Sequence, residues 1–587
     1  MGFEVMGPSL DLVISGALVF DGTGRMPFLA DVGVRGDRIV AIGKLDGAAA
    51  ARREDASGLC LCPGFVDIHS HADMSVIRSD HGRLLEPLAR QGVTTFVGGN
   101  CGVGMAPAPD GPNLTHLHSF WDFFLGGPQT VTWTTFGGML DVIERQGVLL
   151  NVAVLAPFNV IRMGVCGGKA SATEEERRRI RQAVAEAMES GAVGLSFGLQ
   201  YFPGLLCETP ELIDVARIAR KYNGFVAAHL RSYNSDTLGK AIAELLEIGV
   251  RAEVPVQASH LFVIPNLPGR LNRLASGALR LAAQVHRRFA FRAPQLGYLL
   301  YSYLDQALRA AEAAGQEFGV DAMPTSAGFT HVLAFMPPWC IKGGVRAALD
   351  VLADPARREE VRRSIEEGDT SWPHREGDSW SMNLFKVLGY DGIHIMSLGS
   401  GRDDGMLGHS VAELAKGAKK DPFDWVCDLL IEEKGRVLAF LTPTFPGDEL
   451  AEQSLEPVLT HPRVAIATDS ILLGFGMPSH LFYDCYPKFL SQYARDLRLI
   501  SLSQAIRKCT SLPADQARLF DRGRIREGAC ADLVLFDLDR LRTNSTAQRP
   551  GQFPDGIESV FVNGTPLVEH GQFHSDARPG CVIRRGR

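Results

Sequence analysis

Three chemically active side chains alternate along one short strand-like segment, Pro63–His71. Asp67, His69 and His71 stand two residues apart, and side chains two apart on a strand point to the same side. Two imidazoles one strand period apart can bind the same cation, and zinc prefers nitrogen ligands of this kind. Taken alone, the segment fits a metal site and an ordinary strand with two structural histidines equally well.

Four more residues of metal-binding type follow the ends of other strand-like segments: Cys101, His229, His260 and Asp469. Each one alone is more typical of a structural residue, and Cys101 alone would be a small buried side chain. Because the carboxyl ends of barrel strands meet at one face, we expect these four residues to join His69 and His71. The set has the residue types that bind one or two borderline-soft cations such as Zn²⁺.

The segments that carry these residues alternate between short apolar strands and helical stretches, which predicts a parallel α/β sheet. About eight such units with polar residues at the strand ends favour a (β/α)₈ TIM-like barrel over an open sheet. The seventh strand is either Gly319–Met323 or Arg436–Leu441, and the sequence does not decide between them. The other predicted strands are Phe65–His71, Thr94–Gly98, Asn151–Leu155, Ala192–Phe197, Phe225–Leu230, Val254–His260 and Val464–Ala467.

Two further regions depart from the barrel pattern. Residues from about 325 to 420 are rich in Trp, Gly and Pro, and we interpret them as a subdomain inserted over the barrel mouth, or else a peripheral decoration. Short strands and hairpin turns occur at both chain ends, too few at either end for a stable sheet. We therefore predict one small β-sandwich built from residues 1–62 and 501–587, with the barrel occupying residues 63–500.

Composition narrows the class of protein. The chain has 587 residues, 45% of them hydrophobic and 22% charged, with a net charge of −7, which is typical of a folded globular protein. The basic run Arg177–Arg179 follows the acidic run Glu174–Glu176, a pattern typical of a solvated helix face, so we expect no nucleic-acid partner. No apolar stretch is long enough to span a bilayer, so we expect no membrane partner.

Cysteine use and the first residues indicate the compartment. The eleven cysteines form an odd set without a CxxC pair, which favours free thiols in a reducing environment. The apolar run Leu12–Phe20 is short and follows no basic segment, so we interpret it as a strand and not a signal peptide. The prediction is a cytoplasmic protein with a small-molecule substrate, and the oligomeric state is left open.

A series of motifs runs along nearly the whole chain: Phe20–Gly24, Ala30–Val32, Pro63–His71, Gln91–Thr95, Gly99–Val103, Gly194–Ser196, Tyr201–Gly204, His229–Ser232, Thr510–Ala514, Asp521–Gly523, Ala531–Val534 and Val562–Gly564. Together they resemble the D-aminoacylase (N-acyl-D-amino-acid deacylase) family of the metal-dependent amidohydrolases. Most amidohydrolases bridge two metals with a carboxylated lysine on the fourth strand, and Ala192–Phe197 contains no lysine. A bridging Cys101 thiolate, in the Asn-Cys-Gly motif, accounts for that absence.

The resemblance implies a zinc-dependent hydrolase that cleaves a linear N-acyl amide, typically an N-acyl-D-amino acid, to a carboxylate and a D-amino acid. It implies that Cys101, His229 and His260 hold the tighter metal, while His69, His71 and Asp469 face a weaker second position. Asp469 would be the catalytic residue, a general base that later acts as an acid. The alternative for Asp469 is a helix N-cap after the last strand.

Substrate contacts depart from the family pattern. Apolar residues replace polar ones beside the predicted ligands, so a pocket lined by Phe158, Tyr201 and Phe262 would favour an apolar or aromatic substrate. Arg231 could bind a substrate carboxylate, or form a structural ion pair equally well. Tyr233 stands where the family has an acidic residue.

Three alternative functions stay open. The first is a hydrolase of an apolar or aromatic amide, carbamate or urea that is not an amino acid. The second is a cyclic amidase such as a hydantoinase or dihydroorotase, which the missing strand-four lysine opposes. The third is a non-catalytic amidohydrolase-like scaffold, which the presence of all six predicted ligands opposes.

Overall fold

Eight parallel strands form the centre of the fold in a computed structural model of the chain. The structure describes residues 9–125, 131–169, 171–266, 270–289, 291–293, 297–341, 343–368, 372 and 382–585. Every strand is short, and nearly every residue in the eight is buried, because both faces of such a sheet are covered. The strands are β1 (Phe65–Asp67), β2 (Val93–Gly98), β3 (Asn151–Val154), β4 (Leu195–Gly198), β5 (Val226–His229), β6 (Val256–Ala258), β7 (Phe318–Ala322) and β8 (Val464–Ile466).

Backbone hydrogen bonds join these strands in chain order and then close the ring. β1, β2 and β3 pair in parallel, as do β4 to β8. Ala156–Pro157 continues β3 and pairs with β4. Between β8 and β1, the Asp469 N–H donates to His69 O at 2.9 Å and the His71 N–H donates to Ser470 O at 2.9 Å. The chain therefore has the predicted (β/α)₈ barrel.

The structure resolves the choice of the seventh strand. Phe318–Ala322 lies between β6 and β8 and pairs in parallel with both. Val437–Leu441 instead lies in a separate antiparallel sheet, where it pairs with Gly328–His331 and Ile393–Leu398. This sheet belongs to the subdomain inserted between β7 and β8, and it continues past residue 420, where we expected the insertion to end.

Both ends of the chain contribute to a second, mainly antiparallel sheet, although Val582–Ile583 near the C-terminus pairs in parallel with β3 of the barrel instead. Cys60–Pro63, which leads into β1, pairs with Leu533–Phe536 from the far end of the chain. Alternating side chains such as Ile14, Val34 and Phe561 form the core of this sheet. Its strands are Leu10–Val19, Phe28–Arg35, Arg38–Gly43, Ala50–Asp55, Cys60–Pro63, Leu533–Phe536, Ile557–Val562, Thr565–Glu569 and Gln572–Phe573.

Helices surround the barrel and build the rest of the inserted subdomain. The Glu174–Glu189 helix begins with a capping box, in which Thr173 and Glu176 bond each other's backbone N–H groups. Within the described residues, no helix is both long and apolar enough to cross a bilayer. The α-helices before the insertion are Asp73–Val76, His81–Arg90, Leu114–Leu125, Phe136–Gln146, Phe158–Cys166, Glu174–Glu189, Thr209–Lys221, Leu238–Ala252, Arg270–Phe289 and Tyr298–Ala313.

The remaining helices lie in the insertion and near the end of the chain. Leu481–Lys488 is followed directly by a π-helical segment, Phe489–Asp496. The α-helices of this half are Pro338–Ile341, Gly344–Ala353, Pro355–Glu367, Leu384–Leu388, Val411–Gly417, Pro422–Glu432, Glu449–Gln453, Glu456–Leu459, Leu481–Lys488, Leu502–Cys509 and Ser511–Gln516.

Candidate metal centre

The six predicted ligands lie together at the carboxyl end of the barrel, and all six are buried. Three of them, Cys101, His260 and Asp469, have positive φ angles of 56°, 34° and 52°. Non-glycine residues rarely adopt this conformation, and it persists where the surrounding structure imposes it, often at functional sites. The sharp backbone turns after β2, β6 and β8 thus direct these side chains into one space.

The first group of donor atoms surrounds the Cys101 thiol. Its Sγ lies 3.3 Å from His69 Nε2, 3.7 Å from His229 Nδ1 and 3.6 Å from His260 Nε2. The two latter ring nitrogens are 3.0 Å apart. Four strands therefore contribute one soft and three borderline donors to a single cluster.

The second group adjoins the first and shares one histidine with it. Asp469 Oδ1 lies 3.3 Å from His69 Nε2 and 3.3 Å from His71 Nε2. We expected His69 in this group alone, whereas the structure places the same nitrogen beside Cys101 as well. His69 thus stands between the two groups.

The donor spacing fits a cation of the zinc type. Ligand atoms about 2.0–2.3 Å from a tetrahedral zinc stand roughly 3.3–3.6 Å from one another, which is close to the observed Sγ–nitrogen distances. Asp469 Oδ1 is buried and, apart from its 3.3 Å contacts with His69 and His71, has no hydrogen-bond donor within the described residues. A bound cation beside these histidines would satisfy a carboxylate oxygen that is costly to bury without a hydrogen bond.

Asp67 does not join the donor atoms, contrary to the expectation that it projects with His69 and His71. Its Oδ1 accepts the Thr468 N–H at 3.0 Å, and its Oδ2 accepts the Thr468 hydroxyl at 2.5 Å. Burial raises the pKa of this carboxyl to about 7. Asp67 therefore holds β1 to the residues after β8 and so positions two of the ligand-bearing turns.

Two further residues orient the imidazoles, and the sequence did not single them out. Gln200 Oε1 lies 2.8 Å from His229 Nε2, so the other nitrogen, Nδ1, is the one that faces Cys101. Asp321 Oδ1 lies 3.4 Å from His69 Nδ1 and accepts the His260 N–H at 2.7 Å. Such outer contacts fix the tautomer and direction of ligand histidines. A carboxylate inside the apolar strand β7 was the available signal for Asp321.

The cluster shifts the pKa values of its own members. Burial raises the pKa of the Cys101 thiol, but the histidines around it, above all His69, outweigh burial and bring that pKa well below its usual value. Burial lowers the pKa of His71, but Asp469 and Cys101 raise it to about 10. Burial lowers the pKa of His229 to about 4. The surrounding histidines therefore favour the thiolate form of Cys101, which is the form that binds metals.

A cavity of about 240 Å³ opens directly onto the cluster. His71, Cys101, His229, His260 and Asp469 form part of its wall. Within the described residues, no lysine or arginine lines it. The apolar residues that line it include Leu261, Phe262, Val263, Ile264, Leu279, Leu299, Leu300, Met323, Phe329, Met382, Leu388, Leu441, Leu455 and Ile471.

Two of the four predicted substrate contacts line this cavity. Tyr201 packs its ring 4.5 Å from that of His229, and its hydroxyl accepts a hydrogen bond from Thr330 at 3.1 Å. Phe262 lines the cavity with its ring stacked on Tyr233 at 4.3 Å. The Tyr233 hydroxyl accepts the N–H of Leu230 and so stabilises the backbone beside His229.

The other two predicted contacts lie outside the cavity wall. Phe158 is fully buried and packs edge-on against Phe197 at 5.3 Å. Arg231 is 1% exposed, and its guanidinium bonds both carboxylate oxygens of Glu244 at 2.8 and 2.9 Å. Two further N–H groups donate to backbone carbonyls. The alternative of a structural ion pair therefore describes Arg231, because four of its five N–H groups already bond within the protein.

Comparisons with known proteins agree with this geometry. A model of the Amidohydrolase family matches residues 459–568. The chain is 30% identical over 593 residues to a D-aminoacylase of Alcaligenes xylosoxydans xylosoxydans, with 98% of each chain covered. It is 29% identical over 584 residues to an N-acyl-D-glutamate deacylase of the same organism, with 99% of this chain and 98% of the relative covered.

A solved structure shows the same architecture over the full chain. The crystal structure of N-acyl-D-glutamate deacylase from Bordetella bronchiseptica, complexed with zinc and a phosphonate inhibitor, superposes with a TM-score of 0.72 at 26% identity. The superposition covers 98% of this chain and 100% of that one.

Proposed function

Because this chain belongs to the D-aminoacylase family of amidohydrolases, we propose that it hydrolyses linear N-acyl amides, with an N-acyl-D-amino acid yielding a carboxylate and a D-amino acid. The observation that carries the proposal is the convergence of six buried donor residues on one end of a substrate-sized cavity. Retention of every donor argues against a non-catalytic scaffold. The absence of a lysine from β4 argues against the hydantoinase type of site.

The donor set assigns one or two zinc ions to this site. Cys101, His229 and His260, with His69 beside them, would hold the first ion, and His71 and Asp469 would complete a second position with His69. When bound, zinc supplies a water molecule with a pKa near ~7 and polarises the amide carbonyl.

Asp469 carries the proton transfers in this proposal. Its carboxylate is buried and lines the cavity. A carboxylate in this position takes the proton from the attacking water as a general base, and it then donates that proton to the leaving amine nitrogen. The amine leaves as a neutral group. The second proton of the water stays on the new carboxyl group until it passes to solvent, and the acyl part is then a carboxylate.

The cavity wall indicates the kind of substrate. One relative is named for N-acyl-D-glutamate, whose side chain is acidic. Among the described residues of this cavity wall, no lysine or arginine is present to pair with such a side chain. Ser326 lines the cavity, and its buried Oγ has no hydrogen-bond partner within the described chain. We therefore propose an apolar side chain or a long apolar acyl group, with Ser326 available to bond a carboxylate or an amide oxygen.

The setting of the reaction belongs to the same proposal. All eleven cysteines are free thiols and ten of them are buried, which supports a reducing compartment such as the cytoplasm. The basic run of the Glu174–Glu189 helix is paired locally, with Arg178 bonded to Glu175 on an exposed face. That pairing supports a small-molecule substrate and no nucleic-acid partner.

The test is amine release from a substrate panel. The panel contains N-acetyl and N-octanoyl derivatives of D-leucine, L-leucine and D-glutamate, together with aryl amides that have no carboxylate. Zinc-loaded and chelated enzyme are compared, as are Asp469→Asn and the control Asp305→Asn on an outer helix. We expect zinc-dependent turnover with preference for N-octanoyl-D-leucine, and a loss of about 10²–10⁴-fold in kcat for Asp469→Asn only.

Two outcomes would contradict parts of the proposal. Turnover confined to amides without a carboxylate would keep the reaction and remove the amino-acid substrate. Turnover that survives both chelation and Asp469→Asn would remove the assigned chemistry altogether.

A further inference from the structure

A basic helix, Arg270–Phe289, exposes a row of large apolar side chains beside the cavity. The row consists of Leu274, Leu281, Val285 and Phe289, of which Leu274 and Phe289 are 70% exposed and Leu281 is 62% exposed. At about 100° per residue, these four positions fall within an arc of about 80° on one side of the helix. They form an apolar stripe that no described part of the chain covers.

The opposite side of the basic helix is anchored to the inserted subdomain. Arg280 pairs with Asp391 at 3.0 Å, and the Arg287 guanidinium lies 3.6 Å from the centre of the Phe445 ring. His286 is buried and lies 3.2 Å from Gln453. These contacts orient the helix, so the apolar stripe faces away from the protein as a consequence of packing.

Two segments that expose apolar side chains also contribute to the cavity wall. Leu279, on the anchored side of the basic helix, lines the cavity wall. Beyond the helix, Tyr298 and Leu299 are again exposed large apolar residues, and Leu299 also lines the cavity. The basic helix and the Tyr298–Leu299 segment thus each combine exposed apolar side chains with a residue of the cavity wall.

The charge of the basic helix identifies what the stripe contacts. Its twenty residues include five arginines and no aspartate or glutamate, in a chain whose net charge is −7. Arg280 and Arg287 are engaged on the anchored side, whereas the helical positions of Arg270 and Arg288 lie next to the stripe. A symmetric dimer through this face would bring the basic helix against its own copy, with no acid on either helix to pair Arg270 and Arg288. Arginines beside an exposed row of Leu, Val and Phe instead match an anionic lipid surface, where apolar side chains enter the acyl region.

We propose that the basic helix docks this protein on the surface of an anionic lipid bilayer, with Leu274, Leu281, Val285 and Phe289 inserted at the interface. This replaces the expectation of no membrane partner, which rested on the absence of a membrane-spanning segment. Docking does not depend on the proposed function. Where both hold, an amphiphilic N-acyl amide moves from the lipid past Leu299 into the cavity.

The test is co-sedimentation of the full-length protein with vesicles. Vesicles of equal parts phosphatidylcholine and phosphatidylglycerol are compared with vesicles of phosphatidylcholine alone. The variant Leu281→Ser/Phe289→Ser is paired with the control Leu29→Ser/Phe520→Ser, whose side chains are 77% and 53% exposed and lie outside the basic helix. We expect binding to anionic vesicles, a loss of at least about tenfold in affinity for the stripe variant, and no change for the control.

A second variant tests insertion without depending on a loss of binding. Val285→Trp places a fluorophore in the stripe, and its emission should shift to shorter wavelength and be quenched by brominated lipid when anionic vesicles are added. Failure of the wild type to bind, equal loss in both paired variants, or no change in the emission of the Val285→Trp variant would overturn the proposal. A dimer that the stripe variant dissociates, without vesicle binding, would assign the face to a second copy instead.

Discussion

Substitution of Arg231 by alanine distinguishes a structural ion pair from a substrate contact. The guanidinium is 1% exposed and makes four hydrogen bonds: two to Glu244, one to Leu205 O and one to Cys207 O. In Arg231→Ala, the buried Glu244 carboxylate keeps only the hydroxyl of Thr209, at 3.0 Å. The two backbone carbonyls lose the same donor.

The expected loss follows from that geometry. Removal of one partner of a buried ion pair typically costs about 3–5 kcal/mol, because the other charge is left without compensation. Typical proteins have about 5–15 kcal/mol of stability, so the variant should unfold at a much lower denaturant concentration. The double variant Arg231→Met/Glu244→Met removes both charges, and we expect it to recover most of the loss.

The assay combines unfolding with kinetics. Denaturant unfolding should be followed by circular dichroism and by tryptophan fluorescence, because a chain with several domains need not unfold in one step. KM should be measured for N-acyl-D-leucine and for an amide without a carboxylate. We expect the ratio of these two KM values to change by less than about twofold.

One result would refute this reasoning. If Arg231→Ala lowers the free energy of unfolding by less than about 1 kcal/mol and raises KM at least about tenfold for carboxylate substrates alone, then Arg231 binds substrate. The observed pairing with Glu244 would in that case not represent the enzyme during turnover.

The remaining predictions concern the metal centre and the pH dependence of stability. Cys101→Ser should lower the zinc content of the dialysed protein, whereas the control Cys581→Ser, at an exposed thiol, should not. Equal zinc content in the two variants would contradict the assignment of Cys101 as a zinc ligand. Burial raises the pKa of the Asp484 carboxyl from 3.8 to about 7, so the native state keeps a proton that the unfolded chain loses above about pH 4. The free energy of unfolding should therefore fall as the pH rises from about 4 to 7, by up to about 4 kcal/mol. Asp484→Asn removes the titrating carboxyl and keeps an acceptor for the Ser545 N–H. It should therefore raise the unfolding midpoint at pH 8 more than at pH 4, and an equal change at both pH values would contradict the raised pKa of Asp484.

Local patterns were sufficient for the architecture and for the identity of the candidate ligands. Strand alternation and the polar residue after each strand are short-range properties, and they predicted the barrel. They also predicted that six residues form one site: His69, His71, Cys101, His229, His260 and Asp469. The two chain ends were also predicted to share a sheet, because neither contains enough strands alone. The structure brings all of these residues together at one end of the barrel.

Contacts between residues far apart in the chain were decided only by the tertiary structure. The sequence left Arg231 between two roles, and the choice depends on Glu244 from the next helix occupying its donors. Phe158 was expected in the pocket, but packing against Phe197 turns it away from the cavity. The contact of Asp321 with the His260 backbone joins two neighbouring strands across 61 residues.

The sequence by itself therefore determined the residue types available for chemistry and the elements that carry them, because periodicity and strand ends are set by neighbouring residues. Only the folded chain decided which donors are already used, which nitrogen of His229 faces Cys101, and that His69 stands between two groups of ligands. It also decided that the stripe of the basic helix stays exposed beside the cavity. These outcomes depend on which surfaces cover one another, and no local pattern specifies that.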